Sequence, residues 1–211
     1  MFTKALLPGT IRAIKLVSPI SIVKKSYLAG GTALALYQEH RISVDLDFFT
    51  QQEFDENVLS SELKTLPDFR EDGIAWKTVW GRVGQTKFSL FYYNYPLIKK
   101  TTQFEGVQII GKEDIAAMKI HALEDRGTKR DFFDLFFLAK EFTLEEMLGY
   151  YDQKYGVLQE HVYMILRSLN YFADAEIDKD PRMLTPVSWE DVKSFFAEEV
   201  RRLSKELLKI Y

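Results

Sequence analysis

Cysteine is absent from all 211 residues. That excludes disulfides, thiolate zinc sites and a thiol nucleophile, and it fits a reducing compartment. Long apolar runs are missing too, and nothing approaches the ~20 residues that span a bilayer. The N-terminal stretch meets Pro8, Gly9 and Arg12 too early to form a secretory apolar core. Nor is there a large excess of one charge sign. Lys plus Arg number 28 against 31 Asp plus Glu, a net charge of −3, so adhesion to nucleic acid or membrane by bulk electrostatics is not expected. No Ser/Gly linker, internal repeat or low-complexity segment interrupts the chain. The expectation is a cytoplasmic protein without a membrane partner, built as one large domain or two small ones.

What is present describes an ordinary globular chain, 46% hydrophobic and 28% charged. A chain this long buries roughly 70% of its unfolded surface and needs no covalent staple. The 16 Phe and 11 Tyr are expected mostly in the core. Residues 10–25 predict one or two short helices broken at Ser18-Pro19, followed by a brief extended piece at 26–29. Residues 53–66 read as an acidic helix. The β-formers of 74–80, the Gly-bounded stretch 81–84 and residues 86–93 read as a hairpin, and 107–110 as a short strand. After Gly111 strand signals stop. Helices are expected over 112–126, 128–140, from Thr143 with Glu146 as a capping box, over 163–172, and from Ser188 with Asp191 to the C-terminus. The fold class is therefore α+β: an α/β N-terminal domain over 1–110, with a mixed or antiparallel sheet, then a helical domain over 111–211.

Residues 27–50 carry the densest chemistry. Gly30 and Gly31 precede a short helix over 32–38. First-turn N–H groups bind anions, glycine lets a phosphate approach the backbone, and Thr32 adds a hydroxyl donor. Arg41 and Ser43 follow, and a guanidinium there would pair bidentately with phosphate oxygens. In 42–49, Val44, Leu46 and Phe48 alternate with Ser43, Asp45 and Asp47, which is strand periodicity. Two carboxylates two residues apart suit Mg²⁺, with Mn²⁺ as an alternative ion, because such a metal takes one or two carboxylates plus substrate phosphates. A solvated acidic edge strand would read the same way. His40 reads as a turn or packing residue.

A second group follows in the helical half. Lys119 and Arg126 lie seven residues apart, hence on one helix face. Arg130, Asp131 and Asp134 open the next helix, ahead of Phe132, Phe133, Phe136 and Phe137. Salt-bridged helix starts backed by a phenylalanine core would account for these residues without chemistry.

Jointly, a phosphate-binding turn and a metal-binding strand within 24 residues would place a nucleoside triphosphate beside its metal. The stretch 30–49 resembles the nucleotidyltransferase superfamily signature, Gly-Gly/Ser followed by Asp-x-Asp. More narrowly, it and the stretch 119–138 are similar to two regions of the AbiEii/AbiGii toxin family of bacterial nucleotidyltransferases, about forty residues directly, with the fold match expected over 5–170. The resemblance implies Mg²⁺-dependent transfer of a nucleoside monophosphate from an NTP to an acceptor, a tRNA 3′ end or a protein side chain. The protein would be the toxin of a type IV toxin–antitoxin pair with a cognate antitoxin. Asp45 and Asp47 would hold the metal. Gly30, Gly31, Thr32, Arg41, Ser43, Lys119 and Arg126 would seat the nucleotide. Asp131 would assist attack, as a base toward the acceptor hydroxyl, with Asp134 and Arg130 in support.

One departure stands out. The family commonly carries a third carboxylate on a later strand, whereas 86–93 contains no acid and Ser89 stands where one is expected. Either Asp131 compensates or the protein is a slow or degenerate nucleotide-binding module. A small-molecule nucleotidyltransferase of the antibiotic-modifying kind is the remaining alternative, and the acidic composition favours it over a tRNA binder.

Overall fold

A computed structural model describes residues 1–207. The chain divides into two compact units, Met1–Gly111 and Lys112–Tyr211.

The first unit opens with α1 (Pro8–Val17), whose proline occupies the first turn, where no N–H is needed. Then come α2 (Ser21–Lys24), β1 (Tyr27–Leu28), α3 (Gly30–Gln38), β2 (Leu46–Thr50), α4 (Glu56–Leu63), β3 (Phe69–Ala75), β4 (Thr78–Val83), β5 (Thr86–Tyr92), β6 (Thr102–Phe104) and β7 (Val107–Ile109). The sheet order is β3-β4-β5-β2-β1-β7-β6. It is mixed, because β2 runs parallel to β5 and β1 parallel to β7 while the other pairs are antiparallel. Leu46, Phe48, Phe88 and Leu90 are fully buried on one face. Alternation therefore puts Asp47, Phe49, Ser89 and Phe91 on the other, where all four are half-buried. The acidic helix expected over 53–66 is α4, which starts at Glu56 where the Asp55 carboxylate accepts from the Asn57 and Val58 N–H groups.

Three expectations are revised here. The strand expected over 42–49 begins only at Leu46, because Ser43 bridges to Leu6 and its N–H donates to the Ala5 carbonyl. Val44, expected inside with Leu46 and Phe48, is 36% exposed. The stretch 74–80 is not one strand: Trp76-Lys77 is a turn with Lys77 at φ 49°, and the expected loop at 81–84 lies largely within β4. Gly81 reads as a loop residue but is a packing glycine, since a Cβ there would stand 2.3 Å from the Arg70 carbonyl oxygen.

The second unit is helical: α5 (Lys112–Asp125), α6 (Lys129–Leu138), α7 (Leu144–Tyr155), α8 (Leu158–Leu169), α9 (Ala173–Glu176) and α10 (Trp189–Leu207). The Thr143–Glu146 capping box forms in full at the start of α7. At the start of α10, Asp191 and Ser188 exchange hydrogen bonds. The continuation of that helix beyond 207 lies outside the described residues. Helix α8 starts five residues before the expected Tyr163, and its Leu158 N–H is capped by the Asp152 carboxylate of α7, a tertiary cap that local sequence does not announce. The core gathers on Phe132, whose ring packs against Phe172, Trp189 and Phe196 at 5.2, 5.6 and 5.4 Å. The last forty residues, which carry no recognised motif, thus support α6. Among the described residues no helix is long and apolar enough to cross a membrane.

Candidate active site

In the first unit, every residue expected at the phosphate and metal seat converges on the start of α3. Gly30 adopts φ +64°, and a Cβ there would lie 3.2 Å from Asp47 Oδ2. Glycine is favoured at that φ, and it brings the carboxylate of β2 against the first turn of the helix. At Gly31 a Cβ would fall 2.0 Å from Arg41 Nη2, so this glycine exists to let a guanidinium lie on the helix start. Arg41 is buried, and its Nη1 donates to the Ile42 carbonyl at 3.3 Å. The Thr32 hydroxyl stands 2.9 Å from Ser43 Oγ and donates to the Asp45 backbone carbonyl, which fixes the turn leading into β2. The N-cap of α3 is Ala29, whose side chain cannot cap. The start of α3 thus brings together a buried arginine, the Asp47 carboxylate and the Thr32 and Ser43 hydroxyls.

The register of β2 on β5 sets Ser89 directly opposite Asp47. The position where a third carboxylate is expected therefore lies beside Asp47 and carries a hydroxyl.

In the second unit, Lys119, Asp131, Asp134 and Arg126 form one ion-paired cluster. Lys119 Nζ donates to Asp131 Oδ1 at 2.7 Å and lies 2.5 Å from Asp134 Oδ2. Asp131 Oδ2 accepts from Arg126 Nε at 3.2 Å and from Thr128 Oγ1 at 2.6 Å. Thr128 was not among the expected site residues, although Thr-x-x-Asp at a helix start was the available signal. Its hydroxyl turns to the Asp131 carboxylate, while the Lys129 N–H is capped by Asp178 at 3.0 Å. Arg130 is exposed.

Burial raises the Asp131 pKa, but Lys119 and Arg126, with hydrogen bonds from Lys119 and Thr128, outweigh it and bring the carboxyl from 3.8 to about 2. A folded pKa below the unfolded one contributes stability that is fully present above pH ~4 and is lost as pH falls toward ~2. The drop from 3.8 to about 2 corresponds to roughly 2 kcal/mol. Denaturant unfolding at a series of pH values should show this loss in the wild-type protein and not in Asp131→Asn, and parallel curves for the two would refute it.

Among the described residues no three His, Cys, Asp or Glu side chains group to hold a metal. Asp47, whose carboxylate lies against the start of α3, and Asp45, half-buried two residues before it, are hard oxygen donors of the kind that suit a Mg²⁺ completing its shell with substrate phosphates and water rather than an all-protein cage.

A family model described as nucleotidyl transferase AbiEii toxin, type IV TA system, matches residues 23–96 and 94–206. An uncharacterized protein of Aquifex aeolicus is 36% identical over 197 residues, covering 90% of this chain and 93% of that one. Among solved structures, MenT4, a nucleotidyltransferase toxin of Mycobacterium tuberculosis, superposes with a TM-score of 0.61 at 16% identity, over 92% of this chain and 82% of its own. A protein described as a nucleotidyltransferase from Helicobacter pylori gives 0.55 at 23% identity, over 97% and 99%. These structures share the fold.

Proposed function

The chain belongs to the AbiEii family of nucleotidyltransferase toxins, and we propose that it transfers a nucleoside monophosphate from an NTP to an acceptor hydroxyl, with Mg²⁺ held at Asp45 and Asp47. The observation that carries this reading is the convergence of Gly30, Gly31, Thr32, Arg41, Ser43, Asp45 and Asp47 at the start of α3. The metal, when bound, neutralises triphosphate charge and favours departure of pyrophosphate. The protein's own groups orient the nucleotide. Arg41 and the α3 N–H groups take phosphate oxygens. The acceptor hydroxyl oxygen attacks the α-phosphorus and gives up its proton to water, the bond to the bridging oxygen of the β-phosphate breaks, and pyrophosphate leaves. Positioning and charge stabilisation account for most of the rate in such chemistry.

Asp131 we assign as a positioning residue for Lys119 and Arg126 rather than as the base implied by the family resemblance. Both of its oxygens already accept hydrogen bonds, and a carboxylate at about 2 is a poor proton acceptor near neutrality. The acceptor is a tRNA 3′ end or a protein side chain, the setting is cytoplasmic, and a cognate antitoxin is the expected protein partner.

One observation favours a second reading, nucleotide binding without turnover: Ser89 stands beside Asp47 in place of an acid. Incubation with labelled NTPs, Mg²⁺ and either bulk tRNA or cell extract separates the two. Label on a macromolecule supports transfer. A Mg²⁺-NTP-dependent rise in melting temperature without label supports the binding module, and neither effect would sink both.

A further inference from the structure

Trp80 occupies the same transverse row of the sheet as the Asp47 carboxylate. Gly73 pairs with Trp80, Trp80 with Ser89, and Ser89 with Asp47, so the four share one sheet face. This is the face opposite the buried Val79, Val83, Phe88 and Leu90, and core packing therefore gives no reason for an indole there.

The pose of the ring is specific. A Cβ built on Gly73 would stand 2.2 Å from Trp80 Cζ2 and 2.6 and 2.7 Å from Cε2 and Cη2, the ring atoms bonded to it. Both neighbours lie only slightly farther away than Cζ2 itself, which places the point over the face of the ring, since a point outside its edge would be markedly farther from both. The indole thus lies flat on the glycine, and any side chain at 73 would lift it. Trp80 remains 36% exposed, so part of the indole is accessible to a ligand. The side chain between it and Asp47 is the small Ser89. Two strand spacings separate Trp80 from Asp47, roughly 10 Å, comparable to the reach of a nucleotide from its phosphates to its base.

We infer that Trp80 is a stacking platform for a nucleobase, that of the incoming NTP or of a terminal nucleotide in an RNA acceptor, whose phosphate is held at the Asp45–Asp47 seat. The inference rests on the nucleotidyl-transfer reading above. Every base has a π-face, so such a platform contributes affinity without selecting among bases.

Equilibrium titration of the full chain with three probes in Mg²⁺ tests this: tripolyphosphate, which has no base, ATP, and a short single-stranded RNA. Trp80→Ala is expected to weaken ATP or RNA binding roughly tenfold and to leave tripolyphosphate binding unchanged. Trp80→Phe, which keeps a flat ring, should retain most of the affinity. Gly73→Ala, which displaces the indole, should behave like Trp80→Ala. Loss confined to ATP assigns the platform to the incoming base, and loss confined to RNA assigns it to the acceptor. Wild-type affinity of Trp80→Ala for both base-bearing probes overturns the inference, and so does an equal loss for tripolyphosphate, which marks a merely structural role. A wild-type protein that binds none of the three probes overturns the nucleotidyl-transfer reading itself.

Discussion

Asp47→Asn is expected to lower nucleotidyl transfer by roughly a hundredfold or more, with little change in fold. The substitution keeps the shape of the side chain and removes the charge that lies against the α3 start. Asp47 is on the sheet face opposite the buried Leu46 and Phe48, so its charge is not part of the core. Without it, the triphosphate and the oxygens at the anion seat repel each other with one fewer anionic ligand for the cation between them. Asp45→Asn should act in the same direction. The informative partner is Ser89→Asp, because its registry opposite Asp47 would add a carboxylate where two-metal enzymes hold the ion beside the attacking oxygen. Single-turnover transfer rates with labelled NTP read all three. If Asp47→Asn transfers label at the wild-type rate, Asp47 is not a metal ligand.

The largest stability effect is expected from Lys154→Met, a loss of about 3–5 kcal/mol. Lys154 Nζ donates to Asp114 Oδ1 at 2.8 Å, and both side chains are 0% exposed. Burial pulls the Lys154 ammonium below its ordinary pKa, and the hydrogen bond and charge of Asp114 oppose that shift. Removing one member costs the other its hydrogen bond and charge partner at a fully buried position, whereas replacing both by apolar residues of similar volume removes the buried pair altogether. The double variant Asp114→Leu/Lys154→Met should therefore be more stable than Lys154→Met alone. Urea unfolding monitored by circular dichroism compares them. Equal stability of the single variant and the wild-type protein would show that the pair contributes nothing.

Much of the candidate site was legible before any coordinates. The glycines, Thr32, Arg41 and the two aspartates lie within a short stretch, and local spacing constrains where such residues can go. Less legible was why each is needed. Gly31 read as a helix entrance, but it is there because Arg41 packs on it. Arg41 itself, which an exposed position would have explained equally well, is buried. Asp131 read as a base, and the three donors around it are visible only in the structure. Trp80 passed for one more β-former, since alternation along a strand gives its face but not which strand lies beside it.

The sequence by itself determined the α+β class, the α5 and α6 helices, the Thr143 capping box and the grouping of residues 30–47, because periodicity, capping and short loops act over a few residues. The tertiary structure alone decided that β2 lies parallel to β5 with Ser89 against Asp47, that the hairpin turns at Trp76-Lys77, and that α8 is capped from α7 by Asp152. The turn and the six-residue cap are irregular local contacts that no periodic pattern shows, whereas the β2–β5 register depends on pairing between segments distant in the chain. That pairing is fixed by burial of a shared core and by strand register, neither of which any local run of residues encodes.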